Sequence, residues 1–176
     1  MCSSSAHQTQ PGAISSFIRY WLPVVFWMML IFSVSADTQS FRHSSIYFEP
    51  LVRWLFPHLS RMQVEAMHHA FRKGCHLAEY AILAWLFWRA LRKPVKNDCR
   101  PWSWTEAGLA LAIVFLFAAS DELHQVFVPS RTAQVSDVMI DTSGGAIALL
   151  LLWLRNGRAE LVRLWLQNRI PSTPEK

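Results

Sequence analysis

Four apolar stretches recur along the chain, each bounded by segments where charge, proline or serine returns. The first, Tyr20 to Ala36, carries no charge at all. The second spans about Gly74 to Leu91 and is interrupted by Glu79 and Arg89. The third runs from about Trp104 to Val126, and its central part, Ala107 to Ser120, reads AGLALAIVFLFAAS. The fourth covers about Asp137 to Leu154. A bilayer core of ~30 Å takes about 20 helical residues to cross, and each stretch is long enough. Backbone polar groups in hydrocarbon must pair within their own segment, so the stretches are read as helices.

The segments between them are not all plain loops. Asp37 to Arg72 is long and contains Ile46, Tyr47, Phe48, Leu51, Val52, Trp54, Leu55 and Phe56. That pattern predicts an amphipathic element lying on the membrane surface and ended by Pro57. Ser60 with Gln63 has the spacing of a capping box. A helix starting there is expected to run through the second apolar stretch and stop near Pro94. The fold expected is therefore all-α: a four-helix transmembrane bundle with an interfacial amphipathic element between its first two helices. Residues 1–16 form a disordered N-terminal tail in this reading, 17–155 the membrane domain, and 156–176 a basic C-terminal tail. Within that tail, Leu161 to Leu166 with Arg158, Arg163 and Arg169 reads as an interfacial basic helix.

Composition agrees with the pattern. Of 176 residues, 52% are hydrophobic and 16% charged, against about 25% charged in soluble domains. The net charge of +5 does not point to nucleic acid, because the basic residues flank the apolar stretches. With the N-terminus inside, eleven Lys and Arg fall on the cytoplasmic side and six on the outer side. This bias predicts a bacterial inner (cytoplasmic) membrane protein with both termini cytoplasmic. Trp88, Trp102, Trp104 and Trp153 then form part of an inner aromatic belt. Cys2, Cys75 and Cys99 are too few and too scattered for a disulfide framework. His43, His58, His68 and His69 are expected at surface or interface positions.

The candidate chemistry lies where polar residues interrupt the apolar pattern. Ser120-Asp121-Glu122-Leu123-His124-Gln125 closes the third stretch. Lys73, His76, Glu79 and Tyr80 open the second, and residues three or four apart share a helix face. Asp137 and Asp141 open the fourth and are followed by Gly144-Gly145, small residues that admit a neighbouring helix. Arg131 lies in the turn between the third and fourth. Under the inferred topology all these groups fall at the outer ends of their helices. Ionisable groups at membrane depth are costly, and several together mark a site. The candidate ligand-binding residues are Lys73, His76, Tyr80, Glu122, His124, Gln125, Arg131, Asp137 and Asp141. Lys73, His76 and Arg131 would donate to an anionic group, while the acidic residues orient those cations. No zinc-protease or finger spacing occurs, no Gly-x-Ser-x-Gly elbow is present, and no motif calls for a cofactor.

These residues resemble the VanZ-like family of small bacterial membrane proteins. The matching string is Asp121-Glu122-Leu123-His124-Gln125, then Phe127-Val128-Pro129-Ser130-Arg131, then Asp137 and Asp141 with Gly144-Gly145. A second match is Lys73-x-x-His76-x-x-x-Tyr80 with Leu83, and a third is the serine-bearing exit Phe32 to Asp37. The resemblance implies a four-helix membrane protein. The name-giving member is associated with low-level resistance to the glycopeptide teicoplanin. Membrane lipid is then one partner, and a cell-envelope precursor or glycopeptide another. Where the family pattern has Asn, this chain has Asp141, an extra carboxylate. A proton or ion relay remains open on the intramembrane Asp, Glu and His, and so do two other functions. One is an intramembrane metal-assisted hydrolase or transferase, with Glu79 or Glu122 as base and His76 with His124 as ligands or acid. The other is a polar network that only fixes helix packing.

Overall fold

The computed structural model describes residues 13–36, 40–94, 100–127 and 134–169. It contains five helices: α1 (Ala13–Ala36), α2 (Ser40–Leu55), α3 (Arg61–Arg92), α4 (Trp104–Gln125) and α5 (Val135–Arg169). The N-terminal residues 1–12, Arg131 with its neighbours, and residues 170–176 lie outside the described part.

The boundaries follow from local chemistry. Ser60 caps α3: its Oγ accepts the Gln63 N–H at 3.4 Å, and Gln63 Oε1 accepts the Ser60 N–H at 2.8 Å. At the far end Lys93 turns left-handed with φ 47°, and its N–H bonds to the Arg89 carbonyl. Pro94 follows and cannot continue the helix. Ser103 caps α4 by accepting the Glu106 N–H at 3.3 Å. α5 continues as one helix past residue 155 to Arg169.

Among the described residues, three helices are long and apolar enough to cross a membrane: Phe17–Ser35, Trp104–Gln125 and Val135–Asn156. The expected second span is not among them. It sits inside α3, whose 32 residues include Arg72, Lys73, Glu79, Arg89 and Arg92. Those charges dilute its apolar character. α3 is nonetheless the hub of the fold. It packs most extensively on α5 and also meets α1, α2 and α4.

Each helix buries a seam at the 3–4 residue spacing of one helix face. On α1 it is Tyr20, Val24, Ile31 and Ser35; on α4 it is Ala107, Ala110, Val114, Ala118, Asp121 and Gln125. The α3 seam includes Tyr80, Leu83, Ala84, Phe87 and Ala90, and the α5 seam includes Asp141, Leu149 and Leu152. The opposite faces carry exposed Phe26, Met29, Leu116 and Leu151. Apolar residues therefore lie outside as well as inside, as for helices solvated by lipid. Hydroxyls on these helices are satisfied locally: Ser33 donates to the Met29 carbonyl at 2.7 Å and Thr142 to that of Val138 at 2.7 Å.

α2 lies against the first turns of α3. Val52 and Val64 are buried, and the Phe48 ring packs on His68 at 5.0 Å and on Phe71 at 5.1 Å. His68 is consequently buried rather than at the surface position expected, because α2 covers it. The other side of α2 leaves Ile46, Leu51, Trp54 and Leu55 exposed.

Candidate functional site

The seams fix which polar residues face inward. On α1, Ser35 stands eleven positions after Val24 on the same stripe, so its hydroxyl ends an otherwise apolar face. On α4 the small-residue seam ends in Asp121 and Gln125 in the same way. The two helices meet there. Ser35 Oγ donates to Asp121 Oδ2 at 2.6 Å, and Gln125 Nε2 donates to the same oxygen at 3.3 Å. Ser35, Asp121 and Gln125 are all buried.

α3 and α5 complete the cluster. Tyr80 is fully buried, with its ring 6.1 Å from that of Phe117 on α4. Asp141 is also buried, at 3% exposure. Tyr80 feels the charges of Asp121, Asp141, Glu79 and Glu122; Asp141 feels those of Asp121, Glu122, Asp137 and Glu79. Five carboxylates from three helices thus share one neighbourhood. The close approach that permits this is made by Gly144. A Cβ there would collide with the Leu77 carbonyl of α3, while one on Gly145 would sit 3.2 Å from Val114 and 3.3 Å from Ala84.

The cationic residues lie further out. Lys73 Nζ is 3.5 Å from Asp137 Oδ1, with both side chains substantially exposed. Such a pair contributes about 0–1 kcal/mol. His76 Nδ1 lies 3.6 Å from Glu79 Oε2, both partly buried. Glu122 Oε2 accepts the Gln134 N–H at 2.9 Å, which ties the start of the fourth apolar stretch to the end of the third. His124 stands apart from this group, its ring 4.5 Å from that of Phe32. Arg131 falls outside the described residues. Of the candidates, Tyr80, Glu122, Gln125, Asp137 and Asp141 come together with Lys73 and His76 at one end of the bundle.

Two groups belong to this site that the spacing argument did not select. Asp121 was readable as the i, i+4 partner of Gln125, but its inward direction depends on the seam. Ser35 carried only the signal of a serine at the end of an apolar helix. Among the described residues, buried Tyr80 Oη and Asp121 Oδ1 find no hydrogen-bond partner. Among the described residues, no group of three or more His, Cys, Asp or Glu has the geometry to hold a metal ion.

A second polar network lies at the opposite end. Arg92 is buried and bonds to Glu106 Oε2 at 3.1 Å, to the Arg100 carbonyl at 2.6 Å and to the Pro101 carbonyl at 3.0 Å. Arg100 donates back to the Arg92 carbonyl at 2.6 Å. Beside it runs an aromatic chain. Trp88 meets Trp102 at 5.7 Å, Trp102 meets Trp104 at 5.9 Å, and Trp104 meets Trp153 at 5.7 Å. Tyr20 at the start of α1 joins this end by donating to the Pro94 carbonyl at 3.1 Å. The four tryptophans expected in one belt therefore do lie together.

Neither curated proteins nor solved structures give a match to the chain. A family model does, that of VanZ/LLP1, over residues 18–156. This range takes in α1 to α4 and the apolar part of α5, and with them every residue of the cluster. By that match, and with apolar helices of membrane-spanning length, the chain belongs to the VanZ/LLP1 family of membrane proteins.

Proposed function

We propose that the protein is a four-span protein of the bacterial inner membrane, with α3 as the span that composition alone does not reveal. Both termini are cytoplasmic, and the polar cluster opens toward the outer side. Its task is to bind a cell-envelope or lipid-linked anionic group. Lys73, His76 and Arg131 form the rim that meets the anion, with the guanidinium supplying a planar fork for phosphate or carboxylate. Tyr80 and Gln125 add neutral hydrogen bonds. Glu122, Asp137 and Asp141 hold the cations in position. Resistance to a glycopeptide such as teicoplanin would follow where the bound group is an envelope precursor.

The observation that carries this reading is the burial of Ser35, Tyr80, Asp121 and Asp141, from four different helices, beneath the partly exposed Lys73 and His76. A network that served packing alone would be expected to pair all its members, whereas Tyr80 Oη and Asp121 Oδ1 find no partner among the described residues. A metal-assisted enzyme would need His76 and His124 beside a third ligand. His124 is instead stacked against Phe32.

The test is binding in nanodiscs of defined lipid. Titration with a polyprenyl phosphate should give saturable binding that a neutral polyprenol does not reproduce. Arg131→Ala and Lys73→Gln should each weaken it about tenfold, the worth of one charge-assisted hydrogen bond. Equal binding of the phosphate and the neutral alcohol would overturn the proposal.

A further inference from the structure

We infer that Asp121 and Asp141, with the hydroxyls of Tyr80 and Ser35, form a buried site for a small monovalent cation beneath the rim. The inference deepens the pocket reading above, on which it rests for its place in the membrane.

Charge is the first argument. Every charged group that acts on Asp141 among the described residues is itself a carboxylate: Asp121, Glu122, Asp137 and Glu79. The same holds for Tyr80, whose charged neighbours are Asp121, Asp141, Glu79 and Glu122. Among the described residues, Lys73 and His76 reach the cluster at its edge, Lys73 beside Asp137 and His76 beside Glu79. The partners of Asp121 are the neutral Ser35 hydroxyl and Gln125 amide. Buried carboxylates this close cannot all be ionised without a compensating positive charge.

The second argument is independent of charge. Tyr80, at 0% exposure, and Asp121, at 1%, each have a polar atom with no partner among the described residues. Asp121 belongs to the carboxylate cluster and Tyr80 lies within its field, and buried polar atoms are nearly always partnered. A water could satisfy them but would leave the repulsion in place. A cation satisfies both. Asp121 Oδ1 offers a carboxylate oxygen, Tyr80 Oη a phenolic one, and Ser35 Oγ keeps lone pairs free while its proton goes to Asp121 Oδ2.

The donors select the ion. They are hard oxygens, which exclude soft metals. Two carboxylates and two hydroxyls fall short of the roughly six to eight oxygens of a calcium site. An alkali ion or a small ammonium remains, competing with protons for the same carboxylates. Gln125 on α4, Ser35 on α1 and Lys73, His76 and Glu79 on α3 are the other groups facing this space.

Thermal unfolding of the full-length protein in uncharged detergent tests this, with sodium, potassium or methylammonium chloride exchanged for choline chloride at equal ionic strength. At about pH 8 at least one small cation should raise the midpoint by several degrees over choline. At about pH 5 the gain should shrink as protons occupy the site. Asp121→Asn and Asp141→Asn should abolish it, whereas Lys73→Gln should keep it. If the Asn variants do not fold, Tyr80→Phe removes a single hydroxyl and should require about tenfold more cation for the same gain. Identical midpoints in all salts at about pH 8 would show that protons alone balance the carboxylates, and would overturn the inference. So would a gain that persists in Asp121→Asn. Loss of polyprenyl phosphate binding with the cation effect intact would instead overturn the rim reading alone.

Discussion

At the scale of single residues, the helix contact at Gly144 is the tightest constraint in the fold. A methyl group there meets the backbone carbonyl of Leu77, which cannot rotate away as a side chain could. Gly144→Ala should therefore destabilise the protein by about 1–3 kcal/mol, the usual cost of overpacking. Gly74→Ala and Gly108→Ala serve as controls, because nothing lies within 4 Å of a Cβ at either position. Both should be neutral or slightly stabilising by helix propensity. Thermal midpoints in detergent, compared across the three variants, check this ordering. His68 offers a second residue-scale prediction. Its pKa lies below the ordinary imidazole value, first through burial under α2, then through Arg72 and His69, with Glu49 acting in the opposite direction. Folding thus favours the neutral ring. Its contribution to stability is complete above the ordinary value of about 6.5 and is lost as pH falls through the lowered folded value. The wild-type midpoint should fall on acidification over that window, and His68→Phe should flatten this part of the profile. An unchanged slope in the variant would remove His68 from the account.

At the scale of elements, Arg92 ties the end of α3 to the residues that lead into α4. Arg92 serves Glu106 and two backbone carbonyls while its guanidinium lies 5.7 Å from the Trp88 ring centre. A lysine offers a point charge in place of a planar fork and cannot reach all three acceptors. Arg92→Lys should rescue little of the loss caused by Arg92→Ala. Removing one partner of a buried, hydrogen-bonded ion pair costs about 3–5 kcal/mol. Limited proteolysis between α3 and α4, with thermal midpoints, measures it: both variants should be cut faster than wild type. Equal protection of Arg92→Lys and wild type would mean that charge alone holds the connection. This network was only partly legible beforehand. Arg92 and Arg100 read as topology-setting positive charges, because sequence spacing does not show that Arg92 reaches Glu106 and the Arg100 and Pro101 carbonyls. α2 was legible as an amphipathic element, since its apolar residues are dense between Asp37 and Pro57. Its docking on α3 through Phe48 and Val52 was not, and that docking is what buries His68.

At the scale of the whole molecule, the antiparallel arrangement gives the protein two unlike ends. One holds Ser35, Tyr80, Asp121 and Asp141; the other holds Arg92, Glu106 and the tryptophan chain. The proposed orientation puts the first end outside. In a background without Cys2, Cys75 and Cys99, a cysteine at Ser130 should react with an impermeant thiol reagent on intact cells. One at Asn97 should react only after permeabilisation. The reverse pattern would turn the acidic end toward the cytoplasm and remove the envelope ligand from the proposal.

The linear pattern by itself determined where the helices lie. Runs without charge set the cores of α1, α4 and α5, Ser60 with Gln63 set the start of α3, and Pro94 set its end, because these effects act within a few residues along the chain. It also determined that Tyr80, Glu122, Gln125 and Asp141 were too costly in an apolar setting to be incidental. Tertiary structure alone decided which of them meet. Ser35 and Asp121 are 86 positions apart, and only the packing of two seams brings a hydroxyl to a carboxylate at 2.6 Å. It decided too that the buried core of the site is acidic and that Lys73 stands at its edge. Burial depends on how neighbouring helices cover a side chain, and no local rule carries that information.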